Sequence, residues 1–287
     1  MASFLFAACA PRGSGKTYAG KYVAKCAREL VGGRIEVLSF AKLLKMVCFS
    51  MVDSWDVGIE PLSNEAKLVK VTYFPPVFML MAQIRTALKF YADPDLCPGP
   101  RGQETIAMNI ANTFVQRFCT KVEGSHPFFV GAADHYHVPK APMTFGIMLQ
   151  LVGTEVVRRT IDEMFWIREV VARAERALSQ GSVVYIDDVR MENEAEAIRG
   201  IFAHSENLHG SLFRIRPFNP TITDDGRSAL HASETEQDRI VCDAEIENHF
   251  DGHFGDKVYD HVHEIMNFAL CTTLANLEGR IEKLELK

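Results

Sequence analysis

A glycine-rich turn near the start of the chain constrains the fold more than any other feature. The apolar run Ser3–Cys9 leads into the turn Ala10–Thr17 (APRGSGKT), and apolar residues then recur at helical spacing until Gly32-Gly33. A short apolar run that ends in a glycine turn is typical of a buried strand, and periodic apolar residues after the turn indicate an amphipathic helix. The sequence therefore predicts a strand, a glycine loop and a helix in direct succession.

The turn has the residues of a phosphate-binding loop. It matches the pattern GxxxxGK[ST] at every position except the first, where Ala10 replaces glycine. In such loops the glycines let backbone N–H groups surround phosphate oxygens at a helix N-terminus, the lysine reaches the β and γ phosphates, and the hydroxyl ligates Mg²⁺. The alternative is a glycine turn that merely starts a helix, but the strand and helix patterns on either side favour the phosphate loop. We therefore expect ATP and Mg²⁺ on Gly13, Ser14, Gly15, Lys16 and Thr17.

The later patterns predict an α/β fold of the P-loop NTPase class, with three layers and a parallel sheet. Arg34–Phe40 is a second strand pattern and Ala41–Asp53 a helix, which completes the start of a βαβ unit. Three further strand patterns give about five strands: Val183–Asp187, Ser211–Ile215 and Ile240–Ile246. Helices are predicted at residues 77–91, 103–122, 144–159, 162–178 and 192–202.

Four segments organise the chain. Residues 1–54 form the first part of the core, 55–143 a mostly helical insertion with proline-rich breaks, 144–255 the second part of the core, and 256–287 a C-terminal helix. That helix carries one apolar stripe from Val258 to Leu284 at a spacing of three to four residues. The stripe packs on its own domain or on a second copy of the chain, so a homodimer is one of the alternatives.

Composition argues against several classes of partner. Lys and Arg number 31 and Asp and Glu 37 among 287 residues, a net charge of −6 without a basic stripe, so we expect no nucleic-acid partner. The seven cysteines show no CxxC or zinc spacing, as expected for reduced thiols in the cytoplasm. No apolar run reaches about 18 residues, so we expect no membrane partner.

Two acidic residues close the third predicted strand. In Asp187-Asp188-Val189-Arg190, a carboxylate at the carboxyl end of the strand would lie beside the phosphate loop and hold Mg²⁺ directly or through water, and Arg190 would face phosphate. The alternative is a strand that ends in a solvated Asp pair. The pattern does not distinguish which of the two carboxylates faces the ligand.

A third group of polar residues precedes that strand. Gln150, Thr154 and Arg158 have the spacing i, i+4, i+8 and share one helical face, with Gly153 beside them and Trp166 following. An amide, a hydroxyl and a guanidinium in a row suit a base and a phosphate. The alternatives are a solvated helix face and, for Trp166, a core aromatic.

Taken together, several ordered motifs resemble the deoxynucleoside monophosphate kinases of phages and large viruses. These motifs are GSGKT, SFAKLLK, TFGIMLQLVGTEVVR, DEMFW, DDVRMENEAEAIR and the loop from RIRP to HASETE. The resemblance implies a nucleoside monophosphate kinase fold with a five-stranded parallel P-loop sheet. It also implies a monophosphate-binding region, within residues 55–143, and a mobile lid at about residues 216–234.

The resemblance also implies a substrate site. It places the monophosphate near Gln150, Gly153, Thr154 and Trp166, with Trp166 against the base or sugar, and completes the site with Asp188, Arg190 and Glu194. In the lid, Arg216 and Arg227 would approach ATP phosphates, beside His231, Ser233 and Glu234. The sequence departs from the family at Ala10 and lacks a basic pair just before Gln150; Arg158, Arg159 or Arg85 would supply that charge.

The expected reaction is transfer of the γ-phosphoryl group of MgATP to a deoxynucleoside monophosphate. Lys16, Asp188, Arg190 and Arg158 are the expected catalytic residues, and Thr17 and Asp187 the metal-binding ones. The acceptor phosphate is already anionic, so no general base is required. Two alternatives stay open: a P-loop kinase of another small acceptor, with the Asp pair as base, and a nucleotide-binding module without turnover.

Overall fold

The structure is a computed structural model that describes residues 2–11, 13–52, 65–94, 96, 99–124, 134–205, 207–218 and 235–285. Arg12 of the glycine loop and the predicted lid residues Arg227, His231, Ser233 and Glu234 lie outside the described residues.

Nine strands and eight α-helices are found among the described residues. In chain order they are β1 (Ser3–Cys9), α1 (Lys16–Val31), β2 (Ile35–Leu38), α2 (Phe40–Met51), β3 (Lys70–Val71), α3 (Val77–Tyr91), α4 (Gly99–Phe118), β4 (Cys119–Glu123), β5 (His135–Pro139), β6 (Met143–Thr144), α5 (Phe145–Gln150), α6 (Phe165–Ser179), β7 (Val183–Val189), α7 (Glu192–Ala203), β8 (Leu208–Pro217), β9 (Ala244–Asn248) and α8 (Phe254–Glu285). A π-helical segment, Leu151–Ile161, continues α5, and short 3-10 turns lie at Glu65–Leu68 and Glu236–Arg239.

The described residues fall into two compact units. The first contains those before Phe40 and those after Ala172, and the second contains Phe40–Ala172. The hydrophobic pattern placed the boundaries at 54 and 144 instead. The boundaries differ because Val47 of α2 and Met148 and Val152 of the α5 segment pack into the core of the second unit.

A five-stranded, all-parallel sheet forms the centre of the first unit, as predicted. Its strand order is β2-β7-β1-β8-β9. Phe6 and Tyr185 on one face pack in a core with Val23 of α1 and Val262 of α8, and the alternate residue Leu5 is also fully buried. Burial of both faces explains why β1 and β7 are continuous apolar runs, which is typical of parallel strands covered by helices.

The order of the strands indicates where a ligand-binding crevice is expected, at the carboxyl edge of the sheet. The connection that leaves β1 runs through α1 to β2 on one side, whereas β8 leads to β9 on the other. In open α/β sheets, neighbouring strands with diverging connections leave a crevice beyond their carboxyl ends, where ligands bind. The glycine loop after β1 lies at this edge.

The second unit is helical, with two short antiparallel strand pairs, β3 with β6 and β4 with β5. Helix α3 has the predicted bounds. The predicted helix 103–122 was wrong at its end, because α4 stops at Phe118 and Cys119–Glu123 forms β4. The strand forms because Cys119 and its successors pair with His135–Pro139, a partner that local periodicity does not reveal.

The helix predicted at 144–159 changes its winding half-way. Thr144 caps its start by accepting from the backbone N–H of Ile147, and Leu151–Ile161 is π-helical, as shown by Asp162 N–H donating to the carbonyl of Val157. Such i→i+5 stretches are rare and are frequent at functional sites. Gln150, Thr154 and Arg158 are all half-exposed along this segment, and their shared face stays a prediction.

The C-terminal helix is confirmed over Phe254–Glu285. Its first half is buried in the first unit through Val258, Val262 and Met266, whereas Leu274, Leu277 and Ile281 are exposed. Among the described residues no helix combines the length and the apolar character needed to cross a bilayer.

Candidate functional site

The glycine loop at the carboxyl end of β1 has a backbone suited to anion binding. Gly13 and Gly15 adopt positive φ angles of 70° and 91°, and Gly15 is the N-cap of α1. Because glycine has no side chain, the N-cap residue offers no acceptor to the N–H groups in the first turn of α1. Those N–H groups and the positive end of the helix dipole are the elements that bind phosphate at helix N-termini.

Lys16 folds back over the loop. Its ammonium group donates to the carbonyl oxygens of Ala10 at 2.9 Å and Pro11 at 2.5 Å, and lies 3.5 Å from the hydroxyl of Ser14. The positive charge is therefore held at the loop, where a phosphate chain bound to the α1 N-terminus would meet it.

The next residue, Thr17, contacts the end of the neighbouring strand. Its hydroxyl donates to Oδ2 of Asp187 across 3.3 Å, whereas Asp188 accepts from the hydroxyl of Ser39 at 2.7 Å. The two carboxylates diverge because successive side chains of a strand point to opposite sides. Asp187 is thus the carboxylate next to the glycine loop, a choice that the sequence pattern left open.

A hydroxyl and a carboxylate oxygen side by side are suited to Mg²⁺. This ion is commonly bound through one or two carboxylates, with substrate phosphates and water completing an octahedron. The described residues contain no cluster of three or more His, Cys, Asp or Glu with metal-ligand geometry. The expectation that Thr17 and Asp187 hold Mg²⁺ stays a prediction.

Two residues that the sequence patterns did not single out, Asn248 and Tyr185, hold the loop in place. Asn248 is 3% exposed and donates through Nδ2 to the carbonyl of Ser14 at 2.9 Å, and its Oδ1 accepts the N–H of Phe250. A Cβ at Gly15 would lie 2.7 Å from Nδ2 of Asn248, so only glycine fits this contact. The available signal was a polar residue at the carboxyl end of a strand pattern.

Tyr185 of β7 contacts the loop at Lys16. Its hydroxyl donates to the carbonyl of Lys16 at 2.7 Å, and its ring is fully buried. Burial raises the pKa of Tyr185 well above its ordinary value, and the charges of Asp187 and Asp188 add to the shift. The phenol therefore stays protonated and keeps its donor role.

Arg190 and Glu194 lie at the start of α7. Glu194 is buried and accepts through Oε2 from the backbone N–H groups of Arg190 at 2.8 Å and Met191 at 3.2 Å, which is the Glu half of a capping box. The carboxylate thereby shapes the turn that carries Arg190. This geometry gives Glu194 a structural role, and its direct contact with a substrate stays a prediction.

Arg216, expected near ATP phosphates, is paired with an acid. Its guanidinium donates to both oxygens of Glu245 at 2.6 and 2.7 Å. The pair raises the pKa of Arg216 and lowers the pKa of Glu245, through their mutual hydrogen bonds and charges. Because the pair is exposed, exchange of Glu245 for a phosphate would cost little.

The remaining predicted residues belong to the second unit. Gln150, Thr154 and Arg158 are each half-exposed, and Arg85 is exposed on α3. Arg159 is engaged with the carboxylate of Glu155 at 2.6 Å. The structure thus assembles the predicted ATP residues and Asp188, Arg190 and Glu194 in the first unit, and the predicted acceptor row in the second.

Trp166 is a core residue of the second unit. Its ring is 1% exposed, packs edge-on against Phe165, and donates from Nε1 to the carbonyl of Gly153 at 3.1 Å. A Cβ at Gly153 would lie 2.7 Å from Cδ2 of Leu44, so a larger residue there would require the Leu44 side chain to shift. Trp166 is therefore a core aromatic, and the expected stacking of its ring on the base does not occur in this geometry. The ring is in the core because its large apolar surface stabilises the protein when it is buried.

The chain was compared with known proteins. It matches no protein-family model, and no curated protein matches it at a significant level.

Proposed function

We propose that the chain is a P-loop nucleoside monophosphate kinase that transfers the γ-phosphoryl group of MgATP to a deoxynucleoside monophosphate, giving the deoxynucleoside diphosphate and ADP. The observation that supports it best is the contact of Thr17 with Asp187 beside Lys16 on a glycine loop that begins a helix. The motif resemblance described above supplies the acceptor class.

The residues of the glycine loop and its neighbours bind MgATP in this reaction. The N–H groups after Gly15 bind phosphate oxygens, and Lys16 moves its ammonium group from the Ala10 and Pro11 carbonyls to the β and γ phosphates. Thr17 and Asp187 would hold Mg²⁺, which neutralises phosphate charge when bound. Tyr185 and Asn248 keep the loop positioned.

On the acceptor side, the assignments rest on the motif resemblance: it gives Asp188, Arg190 and Arg158 to the monophosphate, and Gln150 and Thr154 to the nucleoside. Arg190 and Arg158 neutralise the migrating phosphoryl group and the acceptor phosphate, which lowers the barrier by charge stabilisation. The acceptor oxygen carries a charge already, so none of these residues has to remove a proton.

The proposal includes a homodimer and a cytoplasmic location. We propose a homodimer through the exposed apolar residues of α8, because Leu274, Leu277 and Ile281 are exposed and recur at a spacing of three and four. A cytoplasmic location is supported by cysteines that are all free among those described.

The deciding experiment measures MgATP-dependent ADP formation with each deoxynucleoside and ribonucleoside monophosphate offered separately. We expect turnover with one or more deoxynucleotides, and a loss of about a hundredfold or more in Lys16→Ala. Lys257→Ala is the matched control, since Lys257 is an exposed lysine on α8.

Other results would assign the chain elsewhere. Stoichiometric binding of MgADP without turnover would support the nucleotide-binding module, and turnover only with another small acceptor would support the second kinase alternative. Full activity of Lys16→Ala at saturating ATP would refute the assigned mechanism.

A further inference from the structure

The end of strand β8 runs past the end of β1. In the sheet register Cys9, the last residue of β1, lies opposite Arg214 of β8. Strand β8 continues to Pro217, whereas the neighbouring chain turns into the glycine loop. Arg216 is therefore placed beside the loop, at the carboxyl edge of the sheet, where α/β proteins bind their ligands.

One carboxylate of β9 holds Arg216. The guanidinium donates from Nε to Oε2 of Glu245 at 2.6 Å and from Nη2 to Oε1 at 2.7 Å. The side chains are 58% and 49% exposed, so the pair lies in solvent. Carboxylates and phosphates accept the two parallel bonds of an arginine in the same way. Glu245 thus occupies the donors of Arg216 that phosphate oxygens would otherwise use.

A second arginine makes this pair easy to open. Nε of Arg214 lies 3.5 Å from Oε1 of the same Glu245. Arg214 is buried and is fixed by its bonds to the carbonyl oxygens of Gln237 and Ile240. When Arg216 moves away, Glu245 therefore keeps a cation beside it. The cost of opening the pair is small, because exposed ion pairs contribute little.

The next outward-facing acid of β9 has a different partner. Glu247 lies opposite Arg216 in the sheet register, but its Oε2 is 3.1 Å from Nε2 of His249. Glu245 and Glu247 are both exposed and carry the same charge on the same strand. Glu247 is therefore a matched control for any effect of Glu245.

We propose that Glu245 is an internal competitor of the phosphate donor: its carboxylate holds Arg216 until the phosphates of MgATP take its place. The inference rests on the proposed function, because it needs a nucleoside triphosphate on the glycine loop. On binding, Arg216 exchanges its two bonds to the carboxylate for bonds to phosphate oxygens, and Glu245 stays beside Arg214. Affinity for the donor is lowered by the cost of opening the pair, so Glu245 sets that affinity.

The competition is tested by titration calorimetry of the full chain with the magnesium complex of a non-hydrolysable ATP analogue. Glu245→Gln keeps the size of the side chain and removes its charge. We expect it to bind the analogue about two- to fivefold more tightly than Glu247→Gln, the range that an exposed ion pair contributes. Denaturant unfolding checks that both variants fold. A distorted loop would weaken binding, which is opposite in sign to the expected gain.

Arg216→Gln shows whether the gain depends on the arginine. Alone it should weaken binding of the analogue, because a cation beside the phosphates is lost. In the double variant Arg216→Gln/Glu245→Gln, the change at Glu245 should bring no further gain. A gain of the same size without Arg216 would be a general effect of charge and would overturn the competition.

The remaining outcomes separate this inference from the proposed function. If the native chain binds the analogue and Glu245→Gln binds it no more tightly than Glu247→Gln, the competition fails and the kinase proposal stands. Weaker binding by a folded Glu245→Gln would mean that Glu245 positions Arg216 for the phosphates, which also overturns the competition. If the native chain binds no analogue, the proposed function fails, and the competition fails with it.

Discussion

Replacing Asn248 with alanine tests whether the glycine loop is held by tertiary contacts. The side chain joins β9 to the loop through Nδ2 to the carbonyl of Ser14 and accepts the N–H of Phe250, both at 2.9 Å. Ser14 is 0% exposed, so its carbonyl would lose this donor at a buried position. We therefore expect Asn248→Ala to destabilise the protein and to loosen the loop.

The magnitude follows from these two hydrogen bonds. An unsatisfied buried acceptor costs about 1–3 kcal/mol, and a hydrogen bond that water can replace costs about 0.5–1 kcal/mol. Phe250 is 52% exposed, so water can replace its lost partner, whereas Ser14 cannot gain one as easily. The expected loss in the free energy of unfolding is about 2–3 kcal/mol. If about 1.4 kcal/mol of this loss is the cost of ordering the loop for binding, the affinity for MgADP falls about tenfold.

Denaturant unfolding and titration calorimetry with MgADP measure the two effects. Asn248→Asp separates the two bonds, because it keeps an acceptor for Phe250 and removes the donor to Ser14; it should be at least as destabilising as alanine. Asn207→Ala, at an exposed asparagine before β8, is the matched control and should change stability by less than about 0.5 kcal/mol. If Asn248→Ala unfolds and binds MgADP like this control, the loop is not held in the way described.

Three more predictions follow from the same structure. Trp166→Phe keeps an aromatic ring in the core and removes the donor to Gly153, so unfolding should become easier by about 1–2 kcal/mol; a loss of monophosphate affinity at unchanged stability would instead favour stacking. Burial lowers the pKa of His261 and of His137 below the ordinary 6.5. On acidification the unfolded chain therefore binds protons at a higher pH than the folded chain does, and the free energy of unfolding should fall as pH drops below about 6.5. Denaturation across pH measures this slope, which His261→Gln should reduce; an unaltered slope would show that other groups cause it. Leu277→Asp charges the exposed stripe of α8 and should convert a dimer into a monomer in sedimentation; a monomeric native chain would refute the homodimer.

Local signals were sufficient for the glycine loop and for most strands of the central sheet, but the strand predicted at Ile240–Ile246 is observed at Ala244–Asn248. Ser3–Cys9 and Val183–Asp187 are continuous apolar runs, and such runs form strands buried on both faces. Local signals failed at Cys119–Glu123, where the chain pairs with a strand more than ten residues away. Strand formation depends on a partner, and periodicity within one segment carries no information about it.

The sequence by itself determined the strand, glycine loop and helix that present Lys16 and Thr17, because these depend on neighbours only a few residues apart and on glycines that tolerate positive φ. Only the tertiary structure decided that Asp187 faces Thr17 and that Asn248 holds Ser14. These contacts join residues 170 and 234 positions apart. They depend on which strands are neighbours in the sheet and on their register, and both are set by packing of the whole core rather than by any local pattern.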